Sequence, residues 1–166
     1  MKKLDECTAL NILSATHDAW CRADIERLLS YYADDCVYWC NAGPLNGVPF
    51  VIEGKQALRT FLWSITSVAE SRAVIEHFHF EDGLGRANVE AYLRHRRTGL
   101  VLAGSYRHIV TYRGRKIARS EQYHDAAKMA AFWQMVRCDE ASEDRDLPAS
   151  LDSAVIGVRA QGRERT

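Results

Sequence analysis

What most constrains this chain is a change of hydrophobic period at about Ser71. Before it, apolar residues recur every three or four positions. After it they alternate, in runs cut by Asp82-Gly83, Thr98-Gly99 and Arg113-Gly114. A period of 3.6 holds one face of a helix to a core, and a period of 2 one face of a strand. The first part is therefore predicted helical and the second an antiparallel meander joined by tight turns. Helices gathered before a meander make an α+β domain, with the helices closing one side of a curved sheet.

Thr8 to Cys21 is predicted as a helix on Leu10, Leu13 and Trp20. Asp24 then caps a short second helix carrying Ile25, Leu28, Leu29 and Tyr32. Asp34 and Asp35 break it, and Cys36 to Cys40 has the aromatic and β-branched character of a strand. Gly43, Pro44, Gly47 and Pro49 mark a loop, and Gly54 precedes a third helix, Lys55 to Ala69, with Leu58, Phe61, Leu62 and Ile65 on one side. The predicted meander strands are Arg72–Glu81, Ala87–Arg96, Leu100–Tyr112 and Ile117–His124, after which Asp125 caps a last helix through Val136. Past Cys138 charged and small residues dominate. Residues 1–138 are thus read as one domain and 139–166 as a flexible tail, in which Leu151 to Val158 is apolar enough to dock on a neighbour.

Composition excludes several functions. Lys plus Arg (22) balance Asp plus Glu (22), so no overall field recruits nucleic acid or an anionic membrane. The basic residues Arg94, Arg96, Arg97, Arg113, Arg115 and Lys116 gather at turns without interleaved stacking aromatics, and no nucleic-acid partner is expected. No apolar run approaches the ~18 residues of a membrane span, and Asp5 and Glu6 fall where a secretory signal needs its apolar segment, so a cytoplasmic location is expected. The five cysteines, without C-x-x-C spacing, read as free thiols. His77, His79 and Glu81 share a strand face, but such spacing is common by chance. Val74, Phe78 and Phe80 on the opposite parity are expected to face the core, and no metal or other cofactor is called for.

The stretches RADIERLLSYYADDCVYW (22–39), IEGKQALRTF (52–61) and GRKIARSEQYHD (114–125) resemble the nuclear transport factor 2-like superfamily over about residues 8–136. That superfamily includes ketosteroid isomerases, SnoaL-type polyketide cyclases, scytalone dehydratases and limonene epoxide hydrolases. The resemblance implies a cone-shaped, curved mixed or antiparallel sheet around a small-molecule pocket, and a homodimer through the sheet face. It also implies where ketosteroid isomerases keep their catalytic groups. Aligning the shared stretches puts Cys40 at the proton-shuttling Asp, Thr16 at the first-helix Tyr and His108 at the protonated Asp of the third meander strand. All three differ, so the usual ketosteroid isomerase constellation is not expected.

Strand parity then selects the pocket. The parity of His108 carries Leu102, Tyr106, Val110 and Tyr112; the last strand offers Ser120, Gln122 and His124, and the first Cys36, Tyr38 and Cys40. His108, Tyr106, His124, His17 and Cys40 are the candidate catalytic groups, since imidazole titrates near neutrality and phenol or thiol donates beside it. Trp20, Tyr38, Phe61, Trp63 and Gln122 are the candidate ligand contacts. The expected function is an isomerase, a dehydratase (a lyase) or a cyclase moving a proton on a hydrophobic or cyclic substrate. The alternatives are a non-catalytic binding or accessory protein for a hydrophobic metabolite and, more weakly, an interaction module whose cone is packed solid.

Overall fold

The computed structural model describes residues 4–44 and 47–143. Helix α1 (Glu6–Cys21) begins where the Asp5 carboxylate accepts the Thr8 backbone N–H, and α2 (Ile25–Ser30) where Asp24 does the same for Arg27. The chain then turns directly into β1 (Tyr32–Cys40). Tyr32 therefore opens the strand and is not the last residue of the helical stripe. Asp34 and Asp35 lie within β1 too, their exposed carboxylates paired with Lys55 and Arg113. The segment read as a loop contains a four-residue strand, β2 (Phe50–Glu53), which pairs antiparallel with β1.

Helix α3 (Lys55–Val68) is followed by the meander β3 (Ala69–Glu81), β4 (Leu84–His95), β5 (Val101–Arg113) and β6 (Lys116–Tyr123), and then by α4 (Ala126–Glu143). The strand order is β2-β1-β6-β5-β4-β3. β1 and β6 run parallel and every other pair antiparallel, so the sheet is mixed. The fold is α+β, with helices packed on a six-stranded sheet. Its main core joins Leu13, Leu29, Leu58, Val89, Val110 and Ile117, all at 1% exposure or less. α4 runs five residues past Cys138; residues 144–166, including Leu151 to Val158, lie outside the described residues.

Strand parity fails in β3. The pairing of β3 with β4 shifts between Ile75 and His77, leaving Glu76 as an extra residue. Such a bulge exchanges the two faces of a strand. Ala69, Ser71, Ala73 and Ile75 face inward before it, Phe78 and Phe80 after it. Val74, expected in the core, is instead 62% exposed.

α4 packs Phe132, Trp133 and Val136 against Ile65, Leu93 and Leu102. Its far end is held by Glu140, whose Oε1 lies 3.5 Å from both buried His95 Nε2 and Arg97 Nη2. Arg137 Nη1 donates to Pro44 O at 3.1 Å, which ties α4 to the β1–β2 connection. Among the described residues no helix is long and apolar enough to cross a membrane.

Candidate functional site

The inner face of the sheet, with α1, α3 and α4, encloses a cavity of about 570 Å³, within the range of small-molecule pockets. Trp20, Phe50, Phe61, Leu62, Met129 and Trp133 supply much of its apolar wall. The cone is not packed solid, so the interaction-module alternative loses its premise.

Two polar chains cross this wall. In the first, His17 Nε2 lies 3.2 Å from His108 Nδ1, and His108 Nε2 lies 2.7 Å from Ser120 Oγ. Tyr32, whose phenol burial pushes up to about 12, lies beside Ser120. His17 Nδ1 is buried without a hydrogen-bond partner among the described residues. An orphaned N–H costs more than an unused lone pair, so the bridging proton belongs on His17 Nε2 and His108 donates through Nε2 to Ser120.

In the second chain the Tyr38 hydroxyl donates to Gln122 Oε1 at 2.8 Å, and His124 Nε2 lies 3.1 Å from the same oxygen. The oxygen only accepts, so His124 carries its proton on Nε2 and its Nδ1 lone pair has no hydrogen-bond partner among the described residues. The ring stacks on Tyr106 with centroids 4.4 Å apart. Asn41 fixes the backbone beneath it: Nδ2 donates to His124 O at 2.9 Å, and Oδ1 accepts the His124 N–H at 2.7 Å.

Burial sets the charge state of the site. It pushes His17 and His124 down to about 4. It holds His108 well below the usual imidazole range, with neighbouring His17 and His124 adding to the effect. All three are neutral near pH 7. Burial likewise pushes the Cys40 thiol up to about 11, and its S–H donates to Ala42 O at 3.4 Å.

With that geometry in place, the comparisons decide the family. Residues 13–120, more than half of the chain, match the model of the SnoaL-like domain. The chain belongs to the SnoaL-like domain family. No curated protein matches the sequence. Among solved structures, this SnoaL-like chain is similar to a candidate polyketide cyclase from Xanthomonas campestris pv. campestris (17% identity, 77% of this chain and 98% of that one, TM-score 0.66). It is also similar to a candidate isomerase from Bacillus subtilis (18%, 72% and 88%, 0.64) and to a limonene-epoxide-hydrolase-like epoxide hydrolase from M. tuberculosis (14%, 84% and 98%, 0.64). At these identities the likeness carries the fold alone.

Within the SnoaL-like frame, His17, His108, His124, Tyr106, Cys40, Trp20, Tyr38, Phe61 and Gln122 all line the cavity. Trp63 does not: it is 56% exposed. On a helix each residue turns 100°, so a face centred on Leu58, Phe61 and Leu62 sends Trp63 to water. The Thr16 hydroxyl, at the position of a catalytic Tyr, donates back to Leu13 O at 2.7 Å and Ile12 O at 3.0 Å.

Strand parity put Ser120 on the pocket side without a role, whereas Asn41 and Tyr32 were not singled out, nor Asp125 and Lys128, which bring charge to the cavity edge. Asp125 Oδ1 accepts the Lys128 N–H at 3.0 Å, and the Lys128 ammonium donates to Ala103 O. The available signal was Asp125 as a helix cap three residues before a lysine on the same turn. On the outer face His79 Nε2 lies 4.0 Å from Glu81, both exposed, and no group of three or more His, Cys, Asp or Glu among the described residues could hold a metal.

Proposed function

We propose that this protein is an isomerase, dehydratase or cyclase that moves a proton on a hydrophobic, cyclic substrate enclosed in the cone. The observation that carries this reading is His124: a neutral imidazole facing an apolar cavity, its tautomer fixed by Gln122 and its Nδ1 lone pair unclaimed among the described residues. His124 is the acid-base group nearest the substrate, and Tyr106 stacks beneath it. His108 has both nitrogens engaged, so it contributes by polarising or passing a proton along the His17–His108–Ser120 chain. Cys40 remains a thiol and serves as wall, because a nucleophile needs the thiolate.

A base near pKa 4 is weak against a carbon acid. Most of the barrier then falls to groups that stabilise developing negative charge in a dry site. The protein is taken to work in the cytoplasm as a homodimer through the outer sheet face, where Trp39 and Tyr123 lie with ring centroids 4.9 Å apart. Sedimentation analysis of the purified chain tests the dimer.

The test of chemistry is deuterium exchange at carbon next to a carbonyl. 2-Acetylnaphthalene and α-tetralone in D₂O, followed by NMR, should exchange faster with the protein. His124→Ala should remove most of that gain, about 100-fold or more for a positioned acid-base group. Binding without any acceleration would mean that the same cavity serves a non-catalytic binding protein.

A further inference from the structure

We infer that the cavity selects a neutral carbonyl compound, whose oxygen is held by the side-chain N–H of Gln122. The inference deepens the reading above and rests on its premise that the cavity holds a small molecule.

An amide oxygen has two lone pairs, and both on Gln122 are taken, by the Tyr38 hydroxyl at 2.8 Å and His124 Nε2–H at 3.1 Å. The amide plane is thereby fixed. Its NH₂ group makes no hydrogen bond among the described residues, and it is not one of the sealed orphans, of which His17 Nδ1 is the sole example there. It is a donor oriented before any ligand arrives, on a residue that lines the cavity. The reverse amide orientation would turn N–H toward the hydroxyl of Tyr38, whose ring packs against Phe50 and Phe61, and would remove the acceptor that hydroxyl has on Gln122.

Charge narrows the class further. The three imidazoles of the wall are neutral, and the two cations that line the cavity, Arg72 and Lys128, are exposed, Lys128 already donating to Ala103 O. A carboxylate would shed its water and meet no buried cation. A carbonyl oxygen sheds little and gains the waiting N–H. With the oxygen on Gln122, the carbon beside it comes within the neighbourhood of His124, two residues on and just past the end of β6. Enolate charge that develops when that carbon loses a proton then falls on the Gln122 donor.

The test compares 2-acetylnaphthalene with 2-naphthoate, of nearly the same size and shape, by calorimetry, with the carbonyl stretch of the bound ketone read by difference infrared spectroscopy. The wild-type protein should bind the ketone at least about tenfold more tightly than the carboxylate and lower its carbonyl frequency relative to an apolar solvent. Gln122→Glu keeps an acceptor for Tyr38 and His124 but loses the N–H donor; it should abolish the frequency shift and weaken ketone binding about tenfold while thermal melting confirms the fold. Gln122→Leu should likewise abolish the shift. Equal or tighter binding of 2-naphthoate, a shift that survives both substitutions, or failure of the wild-type protein to bind the ketone would overturn the inference. Ketone binding with a Gln122-dependent shift but no deuterium exchange leaves it standing and removes the proton-transfer reading. Exchange without the shift does the reverse.

Discussion

His17 of α1 and His108 of β5 meet with Nε2 and Nδ1 3.2 Å apart and their rings nearly parallel, at 15°. A single proton satisfies that bridge. If both rings were charged, two N–H groups would oppose each other inside a buried wall. The bridge therefore admits at most one charge, and burial disfavours even that, so the domain's acid tolerance depends on the pair.

Stability should fall as pH drops from about 6.5 to about 4. In the unfolded chain histidine takes up its proton near pH 6.5, whereas folded His17 does so only at about 4, so between these values the unfolded state binds more protons and gains. At about 1.4 kcal/mol per unit, His17 alone accounts for roughly 3 kcal/mol once pH is below its folded value, on the order of magnitude. Melting temperature against pH checks this. His17→Gln should flatten the profile, and a wild-type profile already flat from about pH 7 to about pH 5 would contradict the neutral pair.

His108→Leu keeps side-chain volume but leaves His17 Nε2–H and the Ser120 hydroxyl without their partner. Two buried orphans at about 1–3 kcal/mol each make a loss of about 3 kcal/mol in urea unfolding. A loss below about 0.5 kcal/mol would mean that water enters the wall freely.

Thiol labelling should follow burial. Cys7 and Cys138 are exposed and should react first with iodoacetamide, while Cys40, buried and pushed up to about 11, should react last with Cys36. Peptide mass spectrometry over time gives the order. Early modification of Cys40 would restore it as a nucleophile.

Gly47→Ala tests how closely α4 presses on the β1–β2 connection. Gly47 has φ +70°, and an added Cβ would lie 2.9 Å from Ala130 Cβ and 3.1 Å from Ala126 O. Left-handed strain and the forced shift together predict a cost of about 2–3 kcal/mol, read from the urea midpoint. A neutral result would mean that the connection moves aside without cost.

Much of this architecture was legible because periodicity is a local signal. The helical stripes of α1 and α3 and the Asp82-Gly83, Thr98-Gly99 and Arg113-Gly114 turns each sit within a few residues of sequence, and each was placed close to where it lies. What failed was set by partners distant in the chain. β2 is four residues long and exists because Val37 to Cys40 pair with Phe50 to Glu53. Val74 turned outward because of an extra residue at Glu76, which parity counting cannot register. For the site, parity alone gathered His108, Gln122 and His124, but the pairing of Asn41 with the His124 backbone depends on β1 lying beside β6. That neighbour relation joins residues more than 80 positions apart.

The fastening of α4 at Glu140 has a consequence for anything held in the cone. That helix supplies Met129 and Trp133 to the wall, yet its distal anchor is the Glu140 carboxylate paired with Arg97 beside buried His95, an ion pair partly open to water. Dissolved salt screens such attractions. The dwell time of an enclosed molecule should therefore shorten as ionic strength rises, through side chains the guest never touches.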